Sequence, residues 1–127
     1  MDELEAIRAR KMAEMMRMAR TPEKPVEISD STFDQTISSG GLVAVDCWAD
    51  WCGPCRMLAQ VIEQLAKEYA GRVTFAKLNV DDNPATAARF RVTSIPTLLV
   101  FKASRLVDTI IGAVPKAQIE STLRRHL

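Results

Sequence analysis

Val45-Asp46-Cys47-Trp48-Ala49-Asp50-Trp51-Cys52-Gly53-Pro54-Cys55 is the stretch on which the reading of this chain turns. Its first residues continue an apolar run that begins at Leu42 and extends to Ala49, as a buried strand would. Its last residues open a helix from Pro54 to Tyr69, because a proline fits a first helical turn, where its missing N–H is not needed. Two thiols at C-x-x-C spacing therefore sit at a strand-to-helix junction. Such a pair can exchange with disulfides, so redox chemistry is expected. Cys52 precedes the helix, where unpaired N–H groups and the dipole favour a negative sulfur. Cys55 lies about one turn further along. We expect Cys52 to be the exposed nucleophile and Cys55 the buried thiol that resolves the mixed disulfide.

Spacing alone leaves two other readings open. Half of a zinc site would need a second C-x-x-C or histidines, and His126 is the only histidine. Cys47, Cys52 and Cys55 match part of a plant-type iron-sulfur spacing, but there is no fourth cysteine. Cys47 itself, in an apolar strand, reads as a small core residue, with redox regulation as the alternative. Strand alternation turns Asp46 and Trp48 to the opposite face.

Asp46 is the unusual residue, because an acid inside Leu42-Val43-Ala44-Val45 is costly to bury when charged. Burial would raise its pKa and fit it to take a proton, through water, from Cys55 as that thiol attacks. Lys77, in the next strand, reads either as its partner or as an ordinary exposed strand-end lysine.

Outward from this centre, Val26-Glu27-Ile28 reads as a short strand. A helix capped by Ser29 or Asp30 runs to Ser38 and stops at Gly40-Gly41. Val73 to Val80 reads as a strand, Asn83-Pro84 starts a short helix toward Phe90, Thr97 to Phe101 and Leu106 to Ile111 are paired strands, and Pro115 opens a last helix to about His126. The pattern predicts an α/β fold with a mixed sheet and helices on both faces. Residues 1–20 read as an extra helix whose apolar face holds Leu4, Ile7, Met12, Met15, Met18 and Ala19. Asp2, Glu3 and Glu5 at one end and Arg17 and Arg20 at the other complement its dipole. Thr21-Pro22-Glu23-Lys24-Pro25 ends it, giving a division into 1–25 and 26–127. The helix is expected to pack on the domain or on a second copy, to hang as a loose tail, or to dock a partner.

With 127 residues, 47% of them hydrophobic, the chain suits one globular domain with a real core. A formal net charge of +1 gives no reason to expect nucleic acid or an acidic membrane surface as partner. Three cysteines do not make a secreted disulfide framework, and the charged N-terminus leaves no room for a signal peptide, so a cytoplasmic protein is expected.

The chain resembles the thioredoxin family over residues 26–127. The stretch 45–55 is similar to that family's active-site strand and turn, with Lys77-Leu78-Asn79-Val80-Asp81 and Ile95-Pro96-Thr97 following in the expected order. The resemblance implies a cis peptide before Pro96 facing the dithiol, Trp48 supporting the site from beneath and Trp51 flanking Cys52 at the surface. It further implies an apolar substrate rim of Ile95, Gly112 and Ala113, although Gly112 alone reads equally well as a flexible strand end. Gly53-Pro54 between the cysteines resembles the reducing members, for which potentials near −270 mV are typical, against about −120 mV for DsbA-type oxidants. The implied function is protein-disulfide reduction, with disulfide-containing proteins as substrates. A separate thioredoxin reductase is the implied electron donor, since no flavin or nicotinamide fingerprint is present and no cofactor is expected. A binding module with incidental redox activity is the rival reading. Two departures stand out: Cys47 replaces the usual phenylalanine, and Lys102-Ala103-Ser104-Arg105 replaces a glycine-containing turn.

Overall fold

The computed structural model describes residues 2–20 and 22–127; Met1, Thr21 and the side chains of Glu14 and residues 17–20 fall outside the description. The expected places of Met18 and Ala19 on an apolar face, of Arg17 and Arg20 at the helix end and of Thr21 in the linker therefore lie outside it too.

Among the described residues, five strands form one mixed sheet. β1 (Val26–Ile28), β2 (Leu42–Trp48) and β3 (Val73–Asn79) are parallel, while β4 (Thr97–Lys102) pairs antiparallel with β2 and β5 (Arg105–Ile111) antiparallel with β4. The order is β1-β3-β2-β4-β5, which puts β2 at the centre. That position explains its apolar run, broken only by Asp46, since a central strand is covered on both faces.

Alternation along β2 sorts the helices. Leu42 and Ala44 face α3 (Gly53–Glu68) and α5 (Lys116–Arg124), in a core with Leu58, Ile62, Leu65, Ile119 and Leu123. Val43, Val45 and Cys47 face the other way, against Phe33 and Ile37 of α2 (Phe33–Ile37) and against Phe90, which follows α4 (Pro84–Arg89). Phe33, Phe90 and Phe101 meet there with ring centroids 5.2–5.4 Å apart. Cys47 is fully buried in this cluster, and burial, with the Asp46 charge adding to it, pushes its thiol up to about 12. Its thiol is thus an un-ionised packing group at neutral pH.

The start of α2 differs from the sequence expectation. Residues 29–32 form a turn in which Ser29 N–H donates to Thr32 Oγ1 at 2.9 Å, and the helix begins only at Phe33. Hydroxyls offer the backbone a local alternative to helix. Asp30, expected to cap α2, instead reaches α4, where its carboxylate accepts from Thr86 N–H at 2.8 Å, Thr86 Oγ1–H at 2.6 Å and Ala85 N–H at 3.2 Å. Those bonds, led by that of the Thr86 side chain, hold the Asp30 carboxyl below its ordinary range.

The turn between β4 and β5 has positive φ at both central residues, 52° at Ala103 and 65° at Ser104. This is the geometry of a two-residue primed turn, which non-glycine residues adopt at a cost of about 1–2 kcal/mol each. Replacing the pair by Asn-Gly is expected to raise stability by about 1 kcal/mol, read as a higher urea midpoint at unchanged m-value.

α1 (Glu3–Arg20) forms as expected, with Asp2 Oδ1 accepting from Glu5 N–H at 2.8 Å. On its expected apolar side Leu4, Met12 and Met15 are exposed, while Ile7 is half-buried. The reason lies in the spacing. Arg8 and Lys11 stand four and seven residues from Leu4, and seven and four from Met15, so two cations interrupt the stripe and would have to be desolvated with it.

Candidate active site

The strand-to-helix junction sets the dithiol. Cys52 occupies the N-cap position of α3, in extended backbone conformation, and its Sγ accepts from Cys55 N–H at 3.2 Å. The sulfur sits where a serine or aspartate oxygen would otherwise cap the helix, so helix-end donors and the dipole stabilise negative charge on it in the reduced protein. Cys52 and Cys55 form a disulfide with their Cα atoms 5.3 Å apart. Both cysteines are buried in this form, 4% and 3% exposed, so the expected contrast between an exposed and a buried sulfur is not present. Cys52 Sγ lies against the first turn of α3 and the loop ahead of β4.

That loop carries the cis peptide between Ile95 and Pro96, with Ile95 O 3.8 Å from Cys52 Sγ. Pro96 O accepts from Gly112 N–H at 2.8 Å. Gly112 has φ of +94°, a backbone conformation that L side chains rarely adopt, so glycine is required here by the chain path. Ala113, Gly53 and Pro54 are exposed. Sequence reading missed two exposed apolar residues, Ile111 at 65% and Met57. Ile111 closes β5 just before Gly112, and Met57 lies in the second turn of α3, two residues after Cys55.

Behind the disulfide, β2 places Asp46 beside Lys77 of β3 in the strand register. Asp46 is wholly buried and, among the described residues, neither carboxylate oxygen has a hydrogen-bond partner. Burial pushes its pKa up to about 7, and the Lys77 charge works against that rise. Lys77 is only half-buried and its Nζ lies 4.6 Å from the centroid of the Trp48 ring. A crevice of about 220 Å³ opens here, lined by Trp48, Ala49, Asp50, Cys55, Arg56, Ala59 and Lys77. It is roomy enough for water and leads to Cys55 rather than Cys52. At the surface, Trp51 is 70% exposed, and its Nε1–H donates to Asp81 Oδ2 at 2.9 Å.

A family model described as Thioredoxin matches residues 24–125. This chain belongs to the thioredoxin family. It is 51% identical over 102 residues to a thioredoxin of Staphylococcus haemolyticus, covering 80% of this chain and 97% of that one. A thioredoxin of Pyropia yezoensis is 47% identical over 102 residues, with 80% and 95% covered. One from Synechocystis is 45% identical over 111 residues, with 87% and all of its length covered. Thioredoxins are disulfide oxidoreductases, and the Cys52–Cys55 pair gives this chain protein-disulfide reductase chemistry. In general, the family implies disulfide-bearing protein substrates and a reductase that restores the dithiol. Among the described residues, no helix is long and apolar enough to cross a membrane.

Proposed function

We propose a division of labour in which Cys52 attacks and Cys55 resolves. The Cys52 thiolate forms a bond to one sulfur of a substrate disulfide, and the substrate S–S bond breaks, its second sulfur leaving as a thiolate that takes up a proton. Asp46, ionised, then accepts the Cys55 proton through water. The Cys55 sulfur attacks Cys52, the mixed disulfide breaks, and the substrate departs carrying two electrons while the Cys52–Cys55 disulfide closes. The observation that carries this order is the N-cap position of Cys52 beside Ile95 O, while Cys55 lines the crevice that Trp48 and Lys77 also border. Lys77 serves as a counter-charge that keeps Asp46 titrating near neutrality rather than above it.

A substrate segment docks on Trp51, Ile95, Pro96, Gly112 and Ala113, with Ile111 extending the apolar rim and Trp48 supporting it from beneath. Residues 26–127 are the catalytic unit and residues 1–25 a helix and linker, leaving a monomer or a weak dimer through α1. The protein works in the cytoplasm as a general reductant, restored by thioredoxin reductase. The direct test is reduction of insulin by dithiothreitol. Catalytic acceleration is expected, and a rate equal to the reagent alone, or an equilibrium with glutathione near −120 mV, would overturn the reductase role.

A further inference from the structure

The Lys77 ammonium has a choice of neighbours. In the strand register Lys77 stands between Asp46 of β2 and Glu27 of β1, on one face of the sheet, and Trp48 follows Asp46 on that face. The lysine takes neither acid. Among the described residues it forms no ion pair and both Asp46 oxygens lack a hydrogen-bond partner, while Lys77 Nζ lies 4.6 Å from the centroid of the Trp48 ring. Among the same residues the Trp48 Nε1–H is also without a partner, so the indole offers Lys77 its face and not its donor.

The choice lies between a dry partner and a wetter one. An ammonium is a strongly hydrated point charge, and pairing with the wholly buried Asp46 would strip it of water. Over the indole, which lines the same crevice, Lys77 stays half-buried, and the negative face of the ring attracts it. Glu27 is exposed, where an ion pair is worth little. Of the remaining neighbours, Cys55 and Arg56 of α3 and Asp50 line the crevice, Cys47 turns to the opposite face, and Leu98, facing Asp46 from β4, carries no charge.

We infer that Trp48 is a positioning residue whose ring face holds the Lys77 ammonium off the Asp46 carboxyl, leaving that carboxyl unpaired as a proton acceptor. The inference rests on the role proposed above for Asp46. Trp48 transfers no proton itself and acts through Lys77. Without the ring, the ammonium would settle on Asp46 and favour its charged form, so the carboxyl would ionise at lower pH.

Carboxyl-carbon NMR follows Asp46 in the oxidised protein, and the rate of resolving a mixed disulfide follows it during turnover. The parent is expected to titrate near 7. In Trp48→Leu the midpoint should fall by about one pH unit, and in Trp48→Phe, which keeps a ring face, by roughly half of that or less. Lys77→Met should raise it, and in that background Trp48→Leu should bring no fall, whereas a fall caused only by water entering the gap would persist there. An unchanged or raised midpoint in Trp48→Leu, or an equal fall in the Lys77→Met background, would overturn the inference. Should Trp48→Leu fail to fold, the parent decides: the Lys77 Cε protons should be shifted upfield by the indole ring current, and ordinary shifts would overturn the inference equally. A resolving rate with no limb near pH 7, beside a carboxyl that titrates there, would instead remove the proton-accepting role of Asp46 and leave the hold of Trp48 on Lys77 standing.

Discussion

Asp46→Asn should make the protein more stable at pH 8, by on the order of 2 to 4 kcal/mol, while making it a poorer reductant. The stability half follows from titration. The Asp46 carboxyl ionises near 7 in the fold, against 3.8 for an ordinary aspartate, because burial penalises its charge more than Lys77 rewards it. Between those two values the folded chain binds more protons than the unfolded one, so stability falls as pH rises from about 4 to about 7 and is level above that. A neutral asparagine escapes that loss. Its advantage over aspartate is therefore full above pH 7, shrinks steadily on acidification, and vanishes below about pH 4. Urea unfolding at pH 8, 6 and 4 reads the trend directly, and an advantage that grew toward acid pH would contradict a buried, unpaired carboxylate.

The activity half of the same substitution has the opposite sign. Without a carboxylate to take the Cys55 proton, resolution of the mixed disulfide should slow by about 10- to 100-fold, the low end being apt for transfer relayed by water. In the parent protein the resolving rate should rise through pH 7 as Asp46 ionises; in Asp46→Asn that limb should disappear. The same residue thus costs stability in the state in which it is useful, which is the ordinary signature of a functional group placed in a core.

Much of this could be read from the residues, for physical reasons that also explain what could not. β2 was visible because a central strand must be apolar on both faces, and Asp46 was visible because it violates that rule. The helix after Cys52 announced itself through Pro54 and its periodicity. By contrast, Asp30 reads locally as a cap for α2, yet it caps α4, more than fifty residues away. Such a choice depends on which elements the sheet order brings together, and no local pattern encodes it. The tie between Trp51 and Asp81 was hidden for the same reason. In α1, the apolar stripe was legible but its interruption by Arg8 and Lys11 weighed more, leaving Leu4, Met12 and Met15 exposed. The expected contrast in exposure between Cys52 and Cys55 is absent in the disulfide form, where both residues are buried.

Cys55→Ser is expected to arrest the cycle at its midpoint and hold substrates covalently on Cys52, whereas Cys52→Ser should hold nothing. Exposure does not decide between the two cysteines, since both residues are buried in the disulfide form. Position does. Cys52 Sγ caps α3, taking the Cys55 N–H at 3.2 Å, and lies beside Ile95 O where an extended segment can approach; Cys55 lies inside the helix, over the crevice. A serine at 55 keeps the size and the helix, but its hydroxyl is not ionised near neutral pH and cannot displace a sulfur. Turnover should fall by on the order of a thousandfold or more in either variant, as expected when a nucleophile is removed. The two variants part company on a non-reducing gel, where adducts sensitive to dithiothreitol should appear with Cys55→Ser alone. Adducts on Cys52→Ser instead would reverse the order of attack and move the role of Asp46 from the resolving step to the first. Combining Cys55→Ser with Asp46→Asn sharpens the result: if Asp46 serves only resolution, the doubly substituted protein should form adducts as fast as Cys55→Ser, and slower formation would place the carboxylate in the initial attack.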